Sequence, residues 1–254
     1  MAAPNGTVSV EERTQLQRVF RLLSLELPLL AISRKLETLD KPCLDADTSA
    51  MSISSKSSEG TMKDVSRRER YKRLCSRYHA TLQEEKSTGQ DLVISRHQID
   101  AKTLQNMYEH LGAFSNSCEK QAHAQKVGEF IWEIDDNLDG TISYDEFERS
   151  YLRARDDRSG LEPSHLFYLT CFLTYDKNCH GRIALDDAMR IFYLKYGDAM
   201  EAEMECHFGK LLDEGAHFIT FKQYHDAVTK RSCELIDQHP SLAKFIKPQS
   251  SRQD

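Results

Sequence analysis

Residues 135–146, DDNLDGTISYDE, constrain this chain more than any other stretch. Oxygen-bearing side chains stand at the first, third and fifth places: Asp135, Asn137 and Asp139. Gly140 follows at the sixth, where the backbone must turn sharply and a Cβ is strained. Thr141 offers its backbone carbonyl at the seventh place. Ser143 at the ninth binds directly or holds a water. Glu146 at the twelfth is long enough to chelate with both oxygens. A hard cation such as calcium takes six to eight oxygens in a flexible shell, and this spacing supplies them. The expected metal ligands are therefore Asp135, Asn137, Asp139, Thr141, Ser143 and Glu146. Ile142, between them, is placed to pack a short strand against a partner loop.

The flanks agree. Ahead of the loop, VGEFIWEI puts Phe130, Ile131 and Ile134 on one helical face. Behind it, Phe147, Tyr151 and Leu152 continue an apolar stripe near the helical period. The bland alternative is an acidic turn between two helices. It requires Gly140, Ile142 and Glu146 all to be coincidence.

Composition excludes other classes. The 254 residues allow one or two domains with an ample core. The net charge of −6 gives no general nucleic-acid footprint. Seven scattered cysteines with no CxxC pair make neither a disulfide framework nor a zinc site, and a reducing compartment is expected. The start, MAAPNGTVSVEERTQLQ, lacks a basic region followed by an apolar core, so no signal peptide is expected. Ala2 stands where myristoylation needs glycine. No apolar run approaches a membrane span. The motifs GxSxG, GxxxxGK[ST] and HExxH are absent, so no enzyme is expected.

Along the chain, residues 1–44 read as an N-terminal helical segment. Leu16, Val19, Phe20, Leu22 and Leu23 form an apolar face up to Pro28, which should end or kink that helix. Residues 45–62 are small, polar and serine-rich, and read as a flexible linker. From Lys63 to Gln83 a helix is expected, with Tyr71, Leu74, Cys75, Tyr78 and Leu82 on one face. Arg67, Arg68, Arg70, Lys72, Arg73 and Arg77 crowd the remainder. That basic face reads as a solvated surface, as a dock for an acidic partner, or as a self-inhibitory helix. Residues 234–254 read as a tail.

The loop pattern repeats. Gly181 and Ile183 echo Gly140 and Ile142, placing a second loop at residues 176–187. Ile219 marks a third echo, with its loop starting at Leu212 and Tyr224 as the first aromatic of the outgoing helix. Ile99, ahead of a helix ending at Gly112, marks a fourth, with its loop at residues 92–103. Four helix-loop-helix units follow, and loop strands pair them. Units one and two, with the basic helix, occupy residues 63–158, and units three and four occupy 159–233. Only the loop at 135–146 has a full ligand set, suited to affinities of ~10⁻⁷ to 10⁻⁵ M. In the loop at 176–187, Asp176 and Asn178 are good ligands. His180 replaces an oxygen, Ala184 supplies nothing, and Asp187 is one methylene short. Leu92, Ile94 and Arg96 leave the earliest loop empty, and Leu212 and Ala216 the last.

Residues 91–230 resemble the EF-hand, calmodulin-like superfamily, on DDNLDGTISYDEF and then on DKNCHGRIALDDAMRIFYLKYG. The resemblance implies an all-α fold of two EF-hand pairs with short loop strands, here carrying an N-terminal helical extension. The tryptophan before the loop, the RDDRSGLEP connection and the closing YLKYG resemble a narrower group, the EF-hand proteins of the ciliary and flagellar axoneme. That group includes the calcium-binding subunit of the outer dynein arm docking complex. This likeness implies a cytoplasmic, axonemal calcium-binding protein whose partners are dynein docking proteins or tubulin, with no nucleic acid and no membrane. Two other readings of the same loop stand beside it. One is a calcium-sensing regulatory subunit of a phosphatase, kinase or other enzyme. The other is a constitutive scaffold that does not switch.

Overall fold

The computed structural model describes residues 8–40, 57–88, 97–157 and 162–238. The described residues are all-α apart from two small antiparallel ladders. Its described residues fall into two compact units. One joins Met1–Phe20 with Gln98–Asp254, and the other is Arg21–His97. The chain passes between these units at residues 20–21 and 97–98. Its first helix belongs with the loops, because Leu16, Val19 and Phe20 are buried there.

In the larger unit, α1 (Val10–Arg21) precedes β1 (Ile99–Asp100), α4 (Ala101–His110) and α5 (Ser117–Ile134). Next come β2 (Thr141–Ile142), α6 (Tyr144–Asp156) and α7 (His165–Tyr175). The unit continues with β3 (Arg182–Ala184), α8 (Leu185–Tyr196), a 3₁₀ turn (Gly197–Ala199), α9 (Met200–Asp213), β4 (Phe218–Thr220) and α10 (Phe221–Gln238). Helix α10 thus begins with an aromatic, Phe221, three residues ahead of the expected Tyr224.

Each strand is short, and each carries one buried isoleucine. Ile99 faces Ile142 in the first ladder, and Ile183 faces Ile219 in the second. Side chains just ahead of the helices start them. Asp100 accepts the Thr103 N–H at 2.6 Å, and Asn116 accepts that of Glu119 at 2.9 Å. Thr220 and Gln223 satisfy each other's backbone N–H groups, at 3.3 and 2.9 Å, as a capping box does.

Helix α7 is the core element. Every residue from Leu166 to Leu173 is buried, as expected of a helix apolar all round. Phe172 meets Phe221 edge-on at 4.8 Å and Tyr224 at 5.3 Å. Tyr108 of α4 donates its hydroxyl to the His165 carbonyl at 3.3 Å, so both ladders share one core. The buried Lys195 ammonium of α8 donates to the carbonyls of Ala154 and Asp157 and closes the end of α6.

The smaller unit holds a π-helical turn (Leu22–Glu26), α2 (Leu27–Asp40) and α3 (Ser57–Thr88). Pro28 does not end the helical run, which continues to Asp40. The wide turn lies just ahead of Pro28, with the Leu27 N–H reaching the Leu22 carbonyl. Pro28 has no N–H for the carbonyl four residues back, and a π turn is one way a helix accommodates that loss. Helix α3 starts at Ser57, so residues 57–62 of the serine-rich stretch are helical. Residues 45–56 lie outside the described residues, as does the tail from residue 239. Helices α2 and α3 touch where Ser33 Oγ lies 3.9 Å from Cys75 Sγ. Tyr71, Leu74, Cys75 and Tyr78 are half-buried, while Arg67, Arg68, Arg70, Lys72, Arg73 and Arg77 are exposed. Among the described residues no helix is long and apolar enough to cross a membrane.

Candidate metal centre

Helix α5 delivers the loop. Val127, Phe130, Ile131 and Ile134 bury one side of it, and Asp135 ends it by donating its N–H to the Ile131 carbonyl at 2.8 Å. The chain then wraps round the Asp135 carboxylate. One oxygen accepts the Gly140 N–H at 2.7 Å, the other that of Asp139 at 3.2 Å. Asn137 Oδ1 also accepts the Asp139 N–H, at 2.9 Å. This tight wrap needs two left-handed residues, Leu138 (φ 59°) and Gly140 (φ 80°). At Gly140 the requirement is conformational alone, since a Cβ would meet nothing within 4 Å.

Asp139 accepts the Thr141 N–H at 2.9 Å and its hydroxyl at 2.5 Å. These bonds, the hydroxyl's foremost, hold its carboxyl below the usual carboxylate range. Its second oxygen accepts from Gln98 Nε2 at 2.9 Å, so the residue before β1 reaches across to this loop. No spacing rule points to Gln98.

Ser143 and Glu146 form the capping box of α6. The Glu146 carboxylate accepts the Ser143 N–H at 2.8 Å and its hydroxyl at 2.6 Å, and also the Asp136 N–H at 3.0 Å. Arg149, one helical turn on, pairs with Asp136, which is not among the expected ligands. Sequence spacing alone did not reveal this pair either.

All six expected ligands thus stand in one loop. Whether they fit a divalent cation can be judged from burial and charge. Asp135 and Glu146 are each only 5% exposed, and among the described residues no cationic side chain pairs with either. Buried carboxylates without a counter-charge are costly. Every donor in the set is an oxygen, the chemistry of a hard-cation site. Among the described residues no three His, Cys, Asp or Glu side chains are gathered as a metal-holding group. The carboxylates are turned to the loop's own N–H groups, and Glu146 to Ser143. The residues fit the ion in kind, charge and order along the loop, and bidentate binding would require Glu146 Oε2 to release the Ser143 hydroxyl.

The loop at 176–187 has the same backbone with a poorer ligand set. Asp176 accepts the N–H groups of His180 and Gly181 at 2.9 and 2.7 Å. Cys179 (φ 52°) and Gly181 (φ 73°) repeat the two left-handed residues. The far end differs. Ala184 offers no side chain to cap α8, and Asp187 pairs with Arg190 at 3.3 Å. Of the two remaining loops, residues 92–96 lie outside the described residues. Leu212 is still inside α9, which ends at Asp213. Their strands survive, and Ile99 and Ile219 serve as partners to the other two loops.

Comparison with known proteins finds no family model that matches this chain and no matching curated protein, so the reading of the site rests on the residues themselves.

Proposed function

We propose that this chain is an EF-hand protein of calmodulin-like type, binding one calcium ion in residues 135–146 and acting through contacts with a protein partner. The observation that carries the reading is the loop itself. Asp135, Asn137, Asp139, Ser143 and Glu146 bring side-chain oxygens, and the Thr141 carbonyl adds a sixth position. Two of the carboxylates are buried and face only neutral donors.

The ion supplies positive charge to a site that has none of its own. Asp135 keeps the loop folded round that site through the N–H groups of Asp139 and Gly140. Glu146 joins the loop to α6, so a change in its partners acts on the first turn of that helix. Paired ladders support an EF-hand arrangement of two loop pairs, with β1–β2 and β3–β4 as the loop strands.

Trp132, 72% exposed and three residues ahead of Asp135, is the chain's single tryptophan and reports on the loop. Calcium titration followed by Trp132 fluorescence should saturate and reverse on chelation. A flat titration argues against a loop that binds and rearranges. The narrower reading, a component of the ciliary or flagellar axoneme bound to dynein docking proteins or tubulin, rests on the sequence likeness of residues 129–197. It predicts that the protein stays with axonemes washed in high salt. Recovery with a cytosolic catalytic chain would favour the enzyme-subunit alternative.

A further inference from the structure

Helix α1 is packed along the helix that leaves the candidate calcium loop. Phe20 is fully buried, edge-on to Tyr144 at 5.3 Å and tilted against Phe147 at 5.4 Å. Those rings belong to the first turn of α6 and bracket Glu146. Farther along α6, Arg13 pairs with Glu148 at 3.4 Å. Near its end, Glu12 takes Arg155 with both oxygens at 3.0 Å and accepts the Tyr151 hydroxyl at 3.2 Å. Arg18 turns to α7 and donates to the carbonyls of Leu173 and Thr174, at 2.7 and 3.2 Å, just before Asp176. One short helix therefore ties the helix leaving one loop to the helix entering the next.

We propose that α1 is a displaceable latch on the α6–α7 face, and that its docking and the loading of residues 135–146 oppose each other. The proposal rests on the calcium reading above. Its physical basis is Glu146, whose carboxylate is committed to Ser143 at the N-terminus of α6. Both acceptor positions of its Oε2 are taken by the Ser143 N–H and hydroxyl, so to give both oxygens to an ion it must release the hydroxyl and shift within that box. Tyr144 and Phe147 move with the same turn, and they form the pocket of Phe20. A closely packed pocket does not deform gradually, so the latch loosens as the loop fills. By linkage the opposition is reciprocal: weakening α1's hold tightens calcium binding by the same factor. The surface uncovered includes Phe147 and Tyr151, with Arg155 at one end. It suits an amphipathic partner helix with α1's own chemistry: a carboxylate, then apolar residues, then an aromatic.

The test uses the full chain. Calcium affinity is measured by calorimetry, and amide hydrogen exchange is followed over residues 10–20. The variants are Glu12→Gln, which loosens a partly exposed ion pair, and Phe20→Ala, which empties the pocket. The latch predicts faster exchange in residues 10–20 with calcium, and an affinity about five-fold or more tighter in both variants. Should Phe20→Ala fail to fold, Glu12→Gln carries the test. Calcium binding with unchanged or weaker affinity in the variants, and unchanged exchange, overturns the latch and leaves the calcium loop standing. No calcium binding by any of the three chains overturns the loop reading, and the latch with it.

Discussion

Lowering the pH from 7 to 5 should destabilise the larger unit steeply, through histidines its core holds neutral. Three imidazoles meet where α5, α7 and α10 pack. His123 and His225 lie 5.6 Å apart, centroid to centroid, with the Tyr108 ring 4.3 Å from the first and 5.3 Å from the second. His165 stacks on Phe130 at 5.6 Å. His123 Nδ1 lies 2.9 Å from Gln105 Oε1 and so carries the proton, while its Nε2 is buried without a partner. The Gln105 amide nitrogen donates to the Lys120 carbonyl at 3.1 Å, which fixes that assignment. A second proton on His123 would be a buried donor with nowhere to go. Burial, with His225, His165 and Lys126 nearby, pushes His123 down to about 3. Burial, with His165, Lys222 and Lys126, pushes His225 down to about 4. His165 is lowered by burial and Lys126.

A histidine depressed in the folded state binds its proton more readily when unfolded. Its contribution is whole above the unfolded value near 6.5 and is lost as pH falls toward the folded value. Between pH 7 and pH 5 His123 and His225 each lose about 2 kcal/mol, about 4 kcal/mol together. That is a large share of the roughly 5–15 kcal/mol that holds a domain folded. Urea unfolding followed by circular dichroism at pH 7, 6 and 5 measures it. His225→Phe, which keeps a ring among Tyr108, His123 and Phe221, should reduce the loss by about 2 kcal/mol. Stability flat to within about 1 kcal/mol, or an undiminished loss in His225→Phe, would refute this account of the core.

Other substitutions separate the packing claims. Lys195→Met removes the ammonium that satisfies the carbonyls of Ala154 and Asp157, and should cost about 1.5–3 kcal/mol in urea unfolding. Gly181→Ala should cost clearly more than Gly140→Ala in the same assay. Both have positive φ, worth about 1–2 kcal/mol, but only at Gly181 would the new Cβ strike a backbone atom, the Leu111 carbonyl oxygen at 2.8 Å. Ile183→Ala empties the centre of the second ladder and should cost about 2–5 kcal/mol.

The candidate metal centre was legible in the sequence because its geometry is local. Twelve consecutive residues carry all six candidate ligands, and the left-handed turn announces itself through Gly140. The strand isoleucines were legible for a similar reason, since each lies two residues after its turn in the two stronger loops. What escaped the sequence depends on contacts between distant segments. His123, His165 and His225 come from three helices, and no spacing unites them. Gly181 reads as a turn glycine, yet the Leu111 carbonyl also forbids it a side chain. The apolar face of α1 was visible, but not that Phe20 would seat between Tyr144 and Phe147. Pro28 reads as a residue that ends or kinks its helix. The π turn that accommodates it has no sequence mark of its own.

The most direct test of the central claim is calcium calorimetry on the intact chain and on Glu146→Gln. One site of roughly micromolar strength, lost in the variant, is the predicted result. Calcium binding that persists unchanged in Glu146→Gln, or no binding by the intact chain, would contradict it.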